Sequence, residues 1–173
     1  MNGDRDAFTE LAAAQVDRLN AVARLILRDN DMAEDAVQEA LVRCWRFLPS
    51  LRDEEQFNGW LYRLLIRAAS DELHRRRRMH AIVARIDPQT SISDDGANLA
   101  RRDQLEAGFR RLSVEHRTMV VLRHYLDMPL AEVALTLGIP LGTAKSRYHH
   151  AMRAMRSALE AEARQSDHQE VLA

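Results

Sequence analysis

The residues best suited to chemistry lie between Leu141 and Arg156, where Lys145, Arg147, Arg153 and Arg156 stand without a single acid among them. Thr143, Ser146, His149 and His150 are interleaved with these cations. On a helix, such a set offers charges to phosphates and hydrogen-bonding groups to base edges in the major groove of duplex DNA. A second cationic run, His74 to Arg78, reads HRRRR. Acids gather elsewhere. Asp35, Gln38 and Glu39 recur at helical spacing, and residues 86–100 carry Asp87, Asp94 and Asp95 with no base. The formal net charge of −1 hides this segregation, which says more about partners than the total does.

Catalytic chemistry has no such foothold. The chain carries no Gly-rich phosphate loop, no nucleophile motif and no Cys/His cluster with zinc spacing, so no catalytic residue, metal, cofactor or small-molecule substrate is expected. His149 and His150 are adjacent and would diverge by about 100° on a helix. The lone Cys44 excludes an internal disulfide and reads as a small core residue. No apolar run approaches the ~18 residues a membrane span needs, so no membrane insertion is expected. The opening MNGDRDAFTE is polar and reads as no secretion signal, which points to the cytoplasm.

Helices must position these groups. With 173 residues, six Gly and four Pro among abundant Ala, Leu, Arg and Glu, the composition favours an all-α fold. Leu11, Val16, Leu19, Val22, Ala23, Ile26 and Leu27 form a first amphipathic stripe. Asp29-Asn30-Asp31 breaks it and can cap a second helix, Met32 to Leu48. That helix stacks Ala33, Val37, Ala40, Leu41, Cys44, Trp45 and Leu48 on its core side, opposite Asp35, Gln38 and Glu39. Pro49 stops it, and a polar loop to Asn58 leads into a third helix from about Gly59 into HRRRR. Trp60 reads as core. Residues 86–100 have the composition of a linker. Four further helices are expected over 102–112, 114–125, 129–137 and 141–160, with Ser113 as an N-cap, and the polar end after Ala161 is expected to fray.

The last two of these helices form a helix-turn-helix. Val133, Ala134 and Leu137 give the first one its apolar face, Gly138 is free to take positive φ at the turn, Ile139 plugs it, and Pro140 starts the second helix. Ala144, Tyr148, Ala151, Met152, Met155 and Leu159 make the buried stripe of that helix. Lys145 and Ser146 are then best placed for base edges, and Arg147, Arg153 and Arg156 for phosphates.

The stretches DMAEDAVQEALVRCWRFL and FNGWLYRLLIRAASDELHRRRR, followed by the linker and the GTAKSR helix-turn-helix, together resemble the extracytoplasmic-function sigma factors of bacteria, over about residues 6–160. The resemblance implies two small helical domains: sigma region 2 over residues 5–82 and sigma region 4 over 102–161, with a flexible acidic linker over 83–101 and a polar tail over 162–173. It implies a factor that binds core RNA polymerase through the β′ clamp helices and the β flap, recognises promoter DNA and helps to open it. Asp35, Gln38, Glu39 and Arg43 would meet the polymerase, while Trp45 is better read as core. Arg52, Gln56, Phe57, Asn58, Arg63, Arg67, Asp71, Arg75 and Arg76 would hold the −10 element and a base flipped out of it. Thr143, Lys145, Ser146, Arg147, His149, His150 and Arg153 would read the −35 element. An anti-sigma factor is a further implied partner. Two other readings start from the same residues: a stand-alone dimeric repressor or activator, and a sigma-like module that only captures an anti-sigma factor.

Overall fold

A computed structural model describes residues 2–51, 53–86 and 108–171. The described residues are helices, turns and short connections, with no strand among them. The chain divides into two compact units, Met1–Gly96 and Ala97–Ala173.

Unit 1 is built on α1 (Asn2–Leu27), α2 (Asn30–Phe47) and α3 (Phe57–Ile86). The corner between the first two is made locally. Arg28 takes φ 59° and reverses the chain, and Asp29 then caps α2, its Oδ1 accepting from the backbone N–H of Met32 at 2.9 Å. Ala33, Ala36, Val37, Ala40 and Cys44 recur every three or four residues along α2 and are buried. The small residues among them let α2 lie close to Leu61, Leu64, Leu65, Ala68 and Ala69 of α3. Leu19, Val22, Ala23 and Ile26 of α1 complete the core. Fully buried Leu19, Val22 and Ile26 each contribute roughly 1.5–3 kcal/mol. Pro49 lies in a 3-10 turn, Leu48–Ser50, that ends α2 as expected.

Four expectations in this unit need correction. Trp45 is 43 % exposed, not core, because it lies one residue beyond buried Cys44 and so about 100° around the helix from the α3 contact. Its ring instead meets Phe8 of α1 edge-on, centroids 4.9 Å apart. Leu11, on the expected α1 stripe, is also exposed. The third helix starts at Phe57, so Phe57 and Asn58 belong to its first turn and not to the loop. HRRRR is helix interior, since α3 runs on to Ile86 and takes in the first residues assigned to the linker. The rest of the linker, Arg52 and the start of the 102–112 helix lie outside the described residues.

Unit 2 holds α4 (Val114–Val120, whose last turn widens into a π-turn over Val121–Tyr125), α5 (Leu130–Leu137) and α6 (Leu141–Val171). Ser113 caps α4, its Oγ accepting from the His116 N–H at 3.3 Å. The π-turn was not expected from the sequence; it is closed by Leu126 N–H donating to the Val121 carbonyl and Met128 N–H to that of Leu122, both at 3.1 Å. Gly108, in the helical turn before Arg111, packs under α6, where a Cβ would come within 3.1 Å of Leu159 Cδ2. The core joins Met119, Val121 and Leu122 to Val133, Ala134, Ala144, Ala151, Met155 and Ala158. Met152, expected in the buried stripe, is 36 % exposed, since it stands next to Ala151 and off the contact line. Buried Thr118 satisfies its hydroxyl by donating to the Val114 carbonyl at 2.8 Å. Beyond Ala161 α6 continues to Val171 through a stretch free of Gly and Pro, with Arg164 Nε donating to the Glu160 carbonyl at 3.0 Å.

Candidate nucleic-acid interface

The turn that aims the basic helix of unit 2 depends on Gly138. It ends α5 at φ 65°, ψ 35°, and its N–H reaches back to the Leu135 carbonyl at 3.2 Å. Ile139 N–H closes on the Ala134 carbonyl at 3.0 Å, and Pro140 immediately precedes α6. Buried Val133 and Ala134 on one side and Ala144 on the other fix the crossing of the two helices. That packing turns Lys145, Ser146, His149, His150 and Arg153 outward, with Thr143 and Arg147 half-buried beside them. Ser146 Oγ donates to the Thr143 carbonyl at 3.0 Å, and Arg153 Nη2 lies 3.2 Å from His150 Nδ1. All seven residues expected to read duplex DNA therefore fall on the first four turns of one helix. Tyr148 faces α4 instead, its hydroxyl 3.0 Å from His124 Nε2.

In unit 1 the expected sites merge. Asp35, Gln38, Glu39 and Arg43 of α2 line a groove whose other wall is Asp71, Glu72, Arg75 and Arg78 of α3. Arg43 donates to Asp71 at 2.8 Å and to Glu39 at 2.7 Å, and these two carboxylates, Asp71 first, raise the guanidinium pKa above its ordinary value. Arg75 pairs with Glu72 and reaches Asp35 at 3.4 Å. Arg76 pairs with Asp29, the cap of α2. Residues assigned to polymerase and residues assigned to DNA are thus each other's ion-pair partners. Glu72 escaped the sequence reading, and Arg78 entered it only as the end of the HRRRR run; the available signal for Glu72 was its spacing of three from Arg75.

The remaining candidates sit at the start of α3. Gln56 Nε2 donates to Asp53 Oδ2 at 2.7 Å, while Asp53 Oδ1 accepts from the Glu55 N–H at 3.0 Å, which shapes the approach to the helix. Asn58 and Arg67 are exposed, and Phe57 and Trp60 are half-buried with ring centroids 6.1 Å apart. Trp60 is therefore only partly the core residue expected. Arg63 buries its Nε with no hydrogen-bond partner among the described residues, as does Asn20 its Oδ1. Cys44 is buried, and desolvation pushes its thiol pKa up to about 11, so it is held as an unreactive thiol. No group of three metal-ligating side chains occurs among the described residues, and no described helix is long and apolar enough to cross a membrane.

A helix-turn-helix with an acid-free outer face, joined in one chain to a separate helical unit, defines a DNA-binding protein of two modules. Comparison with known proteins narrows this. Residues 11–79 match the Sigma-70 region 2 family and residues 102–155 match Sigma-70 region 4. The ECF RNA polymerase sigma factor SigM of Mycobacterium tuberculosis is 32 % identical over 84 % of this chain and 73 % of its own. The RNA polymerase sigma-E factor of Streptomyces avermitilis is 31 % identical over 92 % of this chain and 88 % of its own. The chain belongs to the extracytoplasmic-function family of RNA polymerase sigma factors. Its fold agrees with the sigma factor RpoE of Bartonella quintana, solved in complex with the anti-sigma factor NepR, at TM-score 0.69 and 21 % identity over 89 % of this chain and 97 % of that one.

Proposed function

We propose that this sigma factor brings core RNA polymerase to promoters by dividing the work between its units. The exposed side of α2, with Asp35, Gln38, Glu39 and Arg43, docks on the polymerase. The start of α3 holds the opened −10 strand: Gln56, Asn58 and Arg67 stand exposed there, beside the half-buried Phe57, and Arg52 is proposed for the same role. Opening a duplex costs unstacking energy, so these hydrogen-bonding and stacking groups are needed where the displaced strand settles. Arg75 and Arg76 then serve its phosphates. In unit 2, Lys145, Ser146, His149 and His150 read −35 base edges, and Thr143, Arg147 and Arg153 anchor the backbone. The chain contributes binding energy and no bond chemistry, works in the cytoplasm, and is held in check by an anti-sigma factor.

One observation carries this reading: the five exposed groups of α6, with half-buried Thr143 and Arg147 beside them, form an acid-free stretch behind a Gly138 turn, in a chain whose two halves match sigma regions 2 and 4 in order. The test is run-off transcription with purified bacterial core polymerase on a genomic fragment library. New transcripts sharing an upstream pattern are expected only when the chain is added. A tight complex with a palindromic site and no new transcript would overturn the proposal in favour of a stand-alone repressor.

A further inference from the structure

The surface of unit 2 changes character where the basic helix begins. From Leu135 to Gly142 the chain reads LTLGIPLG, with no charged residue, and its one polar side chain, Thr136, is buried. Leu135 is 69 % exposed near the end of α5, and Leu141 is 42 % exposed as the first residue of α6, beside an exposed Pro140. A single exposed leucine needs no explanation; an apolar tip that runs directly into Thr143, Lys145 and Ser146 does.

Leu141 stands one helical turn ahead of Lys145, so the two share a flank of α6. Side chains on a helix lean toward its N-terminus, so the Leu141 hydrocarbon covers the leading end of the reading face. In a helix-turn-helix that end meets the base edges of the major groove. Gly142, next in line, has nothing within 4 Å of where a Cβ would sit, so no neighbour inside the protein demands a glycine there. It leaves bare backbone, to which a base edge or sugar can come close. An apolar side chain beside bare backbone fits an apolar group standing in the groove. The base pairs offer one such group there, the C5 methyl of thymine; the other features of that edge are hydrogen-bond donors and acceptors.

We infer that Leu141 is a specificity residue that packs on a thymine methyl in the −35 element, so that one base of the element is chosen by apolar contact and not by a hydrogen bond. The inference rests on the DNA-reading role of unit 2 and deepens it. It adds a base feature that the polar groups of Lys145, Ser146, His149 and His150 are not built to read. What is at stake is one methyl group moved out of water, about fourfold in affinity.

The test replaces thymine by deoxyuridine, which pairs in the same way and lacks only the methyl. Holoenzyme assembled from the full chain and core polymerase selects a promoter from a random-sequence duplex library. Each thymine of its −35 element, on either strand, is then exchanged in turn. Affinity is measured with the wild-type chain, Leu141→Ala and Leu135→Ala, and the melting temperature of each free chain is followed alongside. One position is expected at which the exchange weakens wild-type binding about fourfold. There Leu141→Ala should bind thymine and deoxyuridine alike, while Leu135→Ala should keep the wild-type ratio. The ratio is taken within each variant, so any loss of stability in Leu141→Ala cancels from it. No sensitive position in the wild type, or a ratio that survives Leu141→Ala, overturns the inference and leaves the sigma-factor reading standing. A ratio lost equally in Leu135→Ala would assign the effect to the shape of the turn and overturn it too. A well-folded Leu141→Ala chain that no longer assembles with core polymerase would assign the tip to a protein partner, with the same consequence. Failure of the wild-type holoenzyme to select any duplex would instead overturn the sigma-factor reading, and the inference with it.

Discussion

The two units handle positive charge in opposite ways. In unit 1 three cations along α2 and α3 have acids in reach: Arg43 has Asp71 and Glu39, Arg75 has Asp35 and Glu72, and Arg76 has Asp29. In unit 2, no ion pair engages Lys145, Arg147, Arg153 or Arg156 among the described residues, while Arg123 pairs with Asp127 just after α4. A net charge of −1 therefore hides one self-compensated surface and one uncompensated surface, with the balancing acids elsewhere in the chain. An uncompensated face attracts DNA directly and makes affinity fall with salt. A compensated face gains little from a new charge unless the old partner is drawn off at the same time. Asp35, proposed to meet the polymerase, is in reach of Arg75, proposed for the −10 strand, so on the proposed roles docking would be coupled to strand capture through α2 and α3.

The hardest strike at this contrast is to reverse the compensating surface. Asp35→Lys with Glu39→Lys removes the acids facing the polymerase and leaves Arg43 and Arg75 beside new cations. Interface hot spots cost 2 kcal/mol or more each, so transcription with core polymerase should fall about thirtyfold per position or more. Duplex binding through unit 2 should persist, because its cations are untouched. Normal transcription from this variant, with an intact helical melting curve, would remove α2 from the polymerase interface.

Next in size is a probe of the uncompensated surface. Lys145→Ala removes an exposed cation that has no acid to leave behind, so its whole effect should appear in DNA binding. If Lys145 reads a base edge, about 1–3 kcal/mol of discrimination is lost at one promoter position. If it touches a phosphate, affinity falls evenly across sequences and the salt slope drops by about one. An unaltered affinity and slope would take Lys145 off the interface.

The units also differ in how they turn a corner. Unit 2 uses Gly138 at φ 65°, with open space where a Cβ would go, so Gly138→Ala meets no clash and should cost only the left-handed strain of an L-residue, about 1–2 kcal/mol. Unit 1 already carries that strain at Arg28, φ 59°. A lowered melting temperature in Gly138→Ala, with DNA binding recovered on cooling, is expected; an unchanged melting temperature would mean the turn relaxes out of the left-handed region.

What could be read from the sequence is what is decided within a few residues. Asp29 and Ser113 were legible as caps because a side-chain oxygen meets an N–H three residues on. Gly138 was legible because only a glycine takes that turn freely, and the α6 face because its members share one helix. Side-chain burial near the edge of a contact was not. Periodicity says which side of α2 faces inward, but the width of the buried strip is set by α3, which passes Cys44 and leaves Trp45 against Phe8. The Arg43–Asp71 pair joins residues 28 apart in sequence and depends on the register of two helices, which no local pattern encodes. For that reason the polymerase and −10 residues looked like two sites.

The smallest expected effect is the sharpest test of compensation. Asp29→Asn keeps the cap on α2, since asparagine accepts the same Met32 N–H, but removes the charge that holds Arg76. Both side chains of that pair are partly exposed, and exposed pairs are worth about 0–1 kcal/mol. Releasing Arg76 should therefore raise the affinity of the free chain for a single-stranded oligonucleotide by no more than about fivefold. The gain should vanish when Arg76→Ala is added and should be absent for the equivalent change near α6, where there is no acid to remove. With core polymerase present the gain should shrink if docking already frees this cationic strip. A full fivefold gain that persisted on the holoenzyme would mean that polymerase leaves the Asp29–Arg76 pair closed, and that the coupling between docking and strand capture runs through Arg43 and Arg75 alone.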